Sequence, residues 1–175
     1  DGVLSPTEVV KLASKAGCEL FSLTDHDTTQ GSAEAKLEAD KLNLSLINGV
    51  EISALWRNMA IHILGLGIDI NNDILQTGLE HNQKLRKERA EKIALSLWRS
   101  GIKDALEKTQ SLSKTDMLTR THFAQMLISE GYCKDMKEVF RRYLTGKKPG
   151  GVSVEWKGFD EVVNWIHAAG GKALI

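Results

Sequence analysis

Leu20-Phe21-Ser22-Leu23 runs directly into Thr24-Asp25-His26-Asp27-Thr28. An apolar-leaning run that ends in a packed polar cluster reads as a strand that stays dry along its length and presents reactive groups at its C-terminal end. In parallel α/β folds the strand ends and the loops that follow them line the working cleft. This stretch therefore fixes the class of fold that the other residues have to complete.

The flanking residues supply matching pieces. Ser5-Pro6-Thr7-Glu8 combines a Ser cap, a Pro at the first helical position and a Glu three residues after the cap, which predicts a helix start. Val9, Leu12, Ala13 and Ala16 give that helix an apolar face, and Gly17 ends it. A second helix is predicted over 32–42 with Asn43 as its stop, then strands over 44–52 and 61–66. Strand and helix alternating through short connections is the pattern of a parallel sheet or barrel. From Asp73 to Leu144 the texture is helical only, with Leu75 and Leu79, Ala90 with Ile93, Ala94 and Leu97, Phe123 and Leu127, and Val139 and Tyr143 at helical spacing. The α/β rhythm then returns: Val162-Val163 leading to Ala169-Gly170 echoes Val9-Val10 leading to Ala16-Gly17 at the same spacing, a weak internal repeat of the kind βα units leave. The expected division is 1–70 for the first part of a barrel, 71–150 for a helical insertion and 151–175 for the barrel's continuation.

Lysine plus arginine and aspartate plus glutamate both number 23, so no global basic field draws in long duplex nucleic acid, and any polyanion has to be met locally. No apolar run approaches the roughly 20 residues that span a bilayer, and nothing resembles a signal peptide. The expected setting is cytoplasmic, without membrane association. Cys18 and Cys133 make no disulfide framework, and both are expected to be small buried residues. The chain opens on Asp1-Gly2 and stops on Ala173-Leu174-Ile175 where a strand begins, so it reads as a piece of a longer protein.

His26, Glu51 and His62 each fall at or near the end of a separate predicted strand. Imidazole and carboxylate are ligands for Zn²⁺, Mn²⁺ or Fe²⁺, and ligands from different strands of one sheet can converge at one rim. Taken singly, each has an ordinary alternative, a hydrogen-bonded core His or a surface carboxylate. Asp25 and Asp27 flank His26 as partners for its second ring nitrogen. His81, in His81-Asn82-Gln83-Lys84, reads as a solvated helix position, and His167 as packing or surface. Arg120-Thr121-His122-Phe123 opens a helix, and Gly146-Lys147-Lys148-Pro149-Gly150-Gly151 is a basic flexible loop. Arg at a helix start and Lys in a Gly-rich loop can receive phosphate, or be a helix cap and a solvated loop. The loop does not fit the P-loop spacing.

Thr24-Asp25-His26-Asp27, Gly49-Val50-Glu51-Ile52-Ser53, His62 with Gly65, and Thr119-Arg120-Thr121-His122-Phe123-Ala124, in this order, resemble the PHP (polymerase and histidinol phosphatase) superfamily. The branch resembled is that of stand-alone bacterial enzymes that hydrolyse nucleoside 3′,5′-bisphosphates and trim the 5′ ends of short RNA. The resemblance covers essentially the whole chain. It implies an α/β fold, a portion of a distorted (βα)7 barrel with an inserted all-helical subdomain, and a rim cluster of two or three divalent metals, manganese foremost with zinc or iron as alternatives. By motif Asp1, His26, Glu51 and His62 are metal ligands, Asp25 and Asp27 support them, and Arg120, His122 and Lys148 meet the substrate phosphate. The implied partners are a nucleotide or short RNA, with no protein partner. Histidinol-phosphate hydrolysis and a non-catalytic PHP scaffold are the alternatives. The family's opening His-x-His and its later ligand motifs lie outside these residues, so the isolated piece is expected to be inactive. Gly151 stands where the family loop often has Tyr.

Overall fold

The computed structural model describes residues 4–113 and 117–175. It is a mixed α/β chain in two compact units. One comprises residues 4–83 with Glu155–Ile175, and the other is Lys84–Val154.

In the first unit, helix α1 (Pro6–Lys15) starts on the expected capping box. Glu8 N donates to Ser5 Oγ at 3.2 Å and Ser5 N to Glu8 Oε2 at 2.7 Å, so two backbone donors at the helix start are satisfied. Its buried face is not the expected one. Val10 and Ala13 are buried, whereas Leu12 is 53% exposed. The inward stripe follows Val10 and Ala13, one position round from Val9 and Leu12, and packs with Ala35 and Ala39 of helix α2 (Ser32–Lys41). Cys18 is exposed, contrary to expectation, because it follows the turn at Gly17 (φ +81°) and leaves the packed face. Cys133 is buried as expected.

Strands β1 (Leu20–Phe21) and β2 (Ser45–Leu46) pair in parallel, joined by α2 as a crossover requires. The next pairing departs from the parallel expectation. Strands β3 (Gly49–Trp56) and β4 (Met59–Leu66) form an antiparallel hairpin, with Ile52 opposite Ile63 and Ser53 opposite His62. Only Arg57 and Asn58 connect them, at φ +46° and +64°. Two left-handed residues make a tight hairpin turn, and a parallel crossover needs a dozen residues or more. Strand β5 (Lys172–Leu174) adds antiparallel to β4. The echo is therefore local. Helix α7 (Phe159–Ala168) is followed by Gly170 at φ +73° and a strand, as α1 is by Gly17 and β1, but the two strands pair in opposite senses.

Val50, Ile52, Ala54 and Ile63 on one face of the hairpin pack with Leu75, Leu79, Val162 and Ile166. Leu75 and Leu79 come from the first turns of the long helix α3 (Asp73–Arg99). Gly78 lies against Trp165, where a Cβ would come within 2.4 Å of the indole, so this helix approaches α7 more closely than any side chain would allow.

The second unit is helical, and the helical stretch that begins at Asp73 spans the boundary between the units at Lys84. It holds the remainder of α3, α4 (Ala105–Leu112), α5 (Arg120–Ser129), α6 (Met136–Val139) and a π-helical turn over Phe140–Leu144. Its core is built on Ile93, Leu97, Phe123, Met126, Leu127, Val139 and Leu144.

Candidate metal centre

Side chains alternate along a strand, so the face of β3 opposite Ile52 carries Glu51 and Ser53. The register places His62 directly across from Ser53, on that same face. His26 arrives on the other side of β3 through a parallel bridge to Glu51, sealed by Asp27 N to Glu51 O at 2.7 Å and Glu51 N to Asp25 O at 3.1 Å. Three neighbouring chain segments thus deliver two imidazoles and one carboxylate to a single patch.

Glu51 Oε1 lies 3.4 Å from His26 Nε2 and 3.7 Å from His62 Nδ1. One potential ligand atom from each residue lies within 4.8 Å of the others, and the two rings stand edge to face with centroids 4.8 Å apart. The side chains are 30% (His26), 25% (Glu51) and 48% (His62) exposed, so the patch is rooted in the sheet and open on one side. Two imidazoles and a carboxylate held this closely match the donor set that a divalent transition metal takes, and the open side leaves room for further ligands.

One part of the expected geometry is corrected. Glu51 lies near the start of β3 and His62 within β4, so the residues meet through an antiparallel register and a bridge rather than at the C-terminal ends of parallel strands. Asp1 lies outside the described residues.

Asp27 has a distinct position. It is fully buried with φ +53°. Its Oδ1 accepts from Ser53 N at 2.9 Å and from Asn82 Nδ2 at 2.8 Å. The side chain takes over as acceptor where the backbone leaves the ladder with β3. Asp25 places a carboxylate oxygen beside Gly31, 3.5 Å from where a Cβ would stand. His81 and His167 are both exposed.

In the helical unit, Arg120 and His122 occupy the first turn of α5. Thr119 N donates to His122 Nδ1 at 3.0 Å, so Nδ1 is the unprotonated nitrogen and Nε2 carries the hydrogen. Burial holds the His122 pKa below the usual 6.5. The Arg120 guanidinium is pushed down first by burial and then by the positive charge of Arg86, and its Nε is buried without a hydrogen-bond partner. Lys148 is exposed in the loop after the π-helical turn. Within that loop a Cβ on Gly151 would come within 2.1 Å of the Gly146 carbonyl oxygen. A Tyr at this position, as the resembled loop often has, would force the turn to shift.

The sequence patterns assign no role to Ser53, Asn82, Gln83 and Arg86. The available signal was helical spacing. Leu75, Leu79, Asn82, Arg86, Arg89, Ala90, Ile93 and Leu97 all lie buried along one side of α3, and polar residues at stripe positions mark a helix face that does more than pack.

No family model matches the chain. Along its whole length it is 43% identical to the 3′,5′-nucleoside bisphosphate phosphatase of Chromobacterium violaceum and 39% identical to the 5′-3′ exoribonuclease Rnm of Escherichia coli K12. It covers 62% and 60% of those proteins, so it spans about three-fifths of the length of the curated relatives it matches. The solved structure of an amidohydrolase from Chromobacterium violaceum, with bound sulfate and no metal, superposes with a TM-score of 0.96 at 43% identity, over 100% of this chain and 62% of that one. A structure from Bifidobacterium adolescentis described as a metal-dependent phosphoesterase superposes with a TM-score of 0.91 over 99% of this chain and 61% of that one; at 23% identity it speaks to the fold alone. These are the kinds of relative that the PHP-type motifs lead one to expect, and the resemblance is borne out.

Proposed function

We propose that the protein carrying this chain is a PHP-type, metal-dependent phosphoesterase acting on phosphomonoesters of nucleotides, 3′,5′-bisphosphonucleosides foremost, and on the 5′ ends of short RNA; its similarity along its whole length to the nucleoside bisphosphate phosphatase and the Rnm exoribonuclease supports this reading. The single observation that carries this reading is the cluster of His26, Glu51 and His62, whose ligand atoms lie within 4.8 Å of one another. The (βα)7 barrel belongs to the same reading, with this chain as a portion of it, as do Asp1 as a further ligand and a cytoplasmic setting.

His26, Glu51 and His62 would hold the cation. Mn²⁺, Zn²⁺ and Fe²⁺ all accept this donor set, and manganese is the proposed resident. A bound divalent ion supplies Lewis acidity toward a phosphoryl oxygen and acidifies a water. The chain's own residues do the rest. Glu51 sets its charge between the two imidazoles and holds both rings in place. Arg120 offers a guanidinium whose Nε lacks a protein acceptor, with the charge of Arg86 acting on it. A guanidinium with that donor unused suits an anion. His122, locked as the Nε2–H tautomer, is a neutral donor to a phosphate oxygen, and exposed Lys148 adds a positive charge.

The test is phosphate release by the full-length protein from a 3′,5′-bisphosphonucleoside and from histidinol phosphate, with Mn²⁺ and with chelator. Manganese-dependent turnover of the nucleotide in preference to histidinol phosphate is expected. Turnover that survives chelation, or a preference for histidinol phosphate, contradicts the proposal.

A further inference from the structure

Asn82 is fully buried on the polar part of the α3 stripe. Its Nδ2 donates both to Asp27 Oδ1 at 2.8 Å and to Ser53 O at 2.9 Å. Its neighbour Gln83 donates from Nε2 to the Asp27 carbonyl at 2.8 Å. Two consecutive amides thus grip the left-handed turn that follows His26 from two sides. Ser53 is the second node. Its N–H goes to Asp27 and its carbonyl to Asn82, while its hydroxyl lies 3.5 Å from His62 Nδ1.

The amide's orientation is fixed by its surroundings, since the reverse would set its oxygen against a carboxylate and a carbonyl. In the orientation it takes, Asn82 Oδ1 is buried without a partner. A leucine would fill the stripe between Leu79 and Arg86 without that cost, so packing does not account for an amide here. What the amide alone supplies is a pair of donors aimed at the residues beside His26 and across from His62.

We infer that Asn82, assisted by Gln83, is a positioning residue for the His26–Glu51–His62 centre, clamping the His26–Asp27 corner and Ser53 to helix α3 so that the two imidazoles keep their spacing about Glu51. This rests on the metal-site reading for its consequence, but the clamp itself is a property of the metal-free chain.

The experiment compares full-length wild type with Asn82→Leu, which keeps the stripe filled, and with Gln83→Ala. Mn²⁺ is titrated by calorimetry, and the ring resonances of His26, His62 and His167 are followed by NMR in metal-free protein. Asn82→Leu is expected to weaken Mn²⁺ binding about ten- to a hundredfold, the range found when groups supporting metal ligands are removed. It is also expected to move the His26 and His62 rings while His167 stays put, and Gln83→Ala to do the same more weakly. Once Asp27 is changed to Asn, Asn82→Leu is expected to have little further effect, because the two act as one unit. Folded Asn82→Leu with wild-type affinity and unmoved rings overturns the clamp. If wild type takes up no Mn²⁺ the metal reading fails, and the ring resonances alone decide the clamp. If Asn82→Leu does not fold, Gln83→Ala decides it by the same two readouts.

Discussion

Arg120 and His122 lie two residues apart on the first turn of α5, and their environments give them different work. Arg120 keeps its charge in a half-buried site where Arg86 opposes it. Arg120→Ala in the full-length protein is expected to lower kcat/KM by about 10²–10³, the usual loss when a charge-stabilising donor is removed. Arg120→Lys should recover only part of it, because an ammonium cannot replace the planar fork. His122 is held neutral by burial. Its folded pKa lies below 6.5, so between the two values the unfolded chain binds more protons. Its contribution to stability is complete above pH 6.5 and is lost as pH falls from there toward the folded value. Melting curves from pH 7.5 to 5 are expected to show a loss of Tm on acidification that is smaller in His122→Gln. An identical slope in the two proteins would contradict the assignment.

At the scale of elements, helix α3 shows what the sequence did and did not disclose. Its apolar residues marked a helix readily. His81, in the polar run His81-Asn82-Gln83-Lys84, is solvated as its setting suggests, yet the next residue, Asn82, falls on the buried stripe set by Leu75 and Leu79, because helical phase and not the polarity of the run decides burial. The β3–β4 hairpin was hidden for a different reason. Arg57-Asn58 is a two-residue left-handed turn without a glycine, and the apolar residues around it suit parallel and antiparallel strands equally. The cluster's membership was legible because His26, Glu51 and His62 stood out chemically; its geometry was not, because register is a property of pairing. The Gly146–Gly151 loop gives this scale its prediction. Gly151→Tyr drives a Cβ toward the Gly146 carbonyl. It is expected to lower the Tm by roughly 5–20 °C, the cost of overpacking by about 1–3 kcal/mol in a small unit. An unchanged Tm would show that the turn relaxes freely.

For the chain as a whole, balanced charge and local cationic groups fit the proposed small phosphorylated substrates better than long polyanions. No helix among the described residues is long and apolar enough to cross a membrane. The helical unit and the sheet unit carry different parts of the proposed chemistry, phosphate recognition at Arg120, His122 and Lys148 and cation binding at His26, Glu51 and His62. Cation binding is the central claim, and elemental analysis tests it most directly. The full-length protein and its Glu51→Gln variant would be compared after gel filtration in Mn²⁺ followed by exchange into metal-free buffer. Two or three equivalents of transition metal in wild type, with a clear loss in Glu51→Gln, is the expected result. Equal metal content in the two proteins, or none in wild type, would contradict the account.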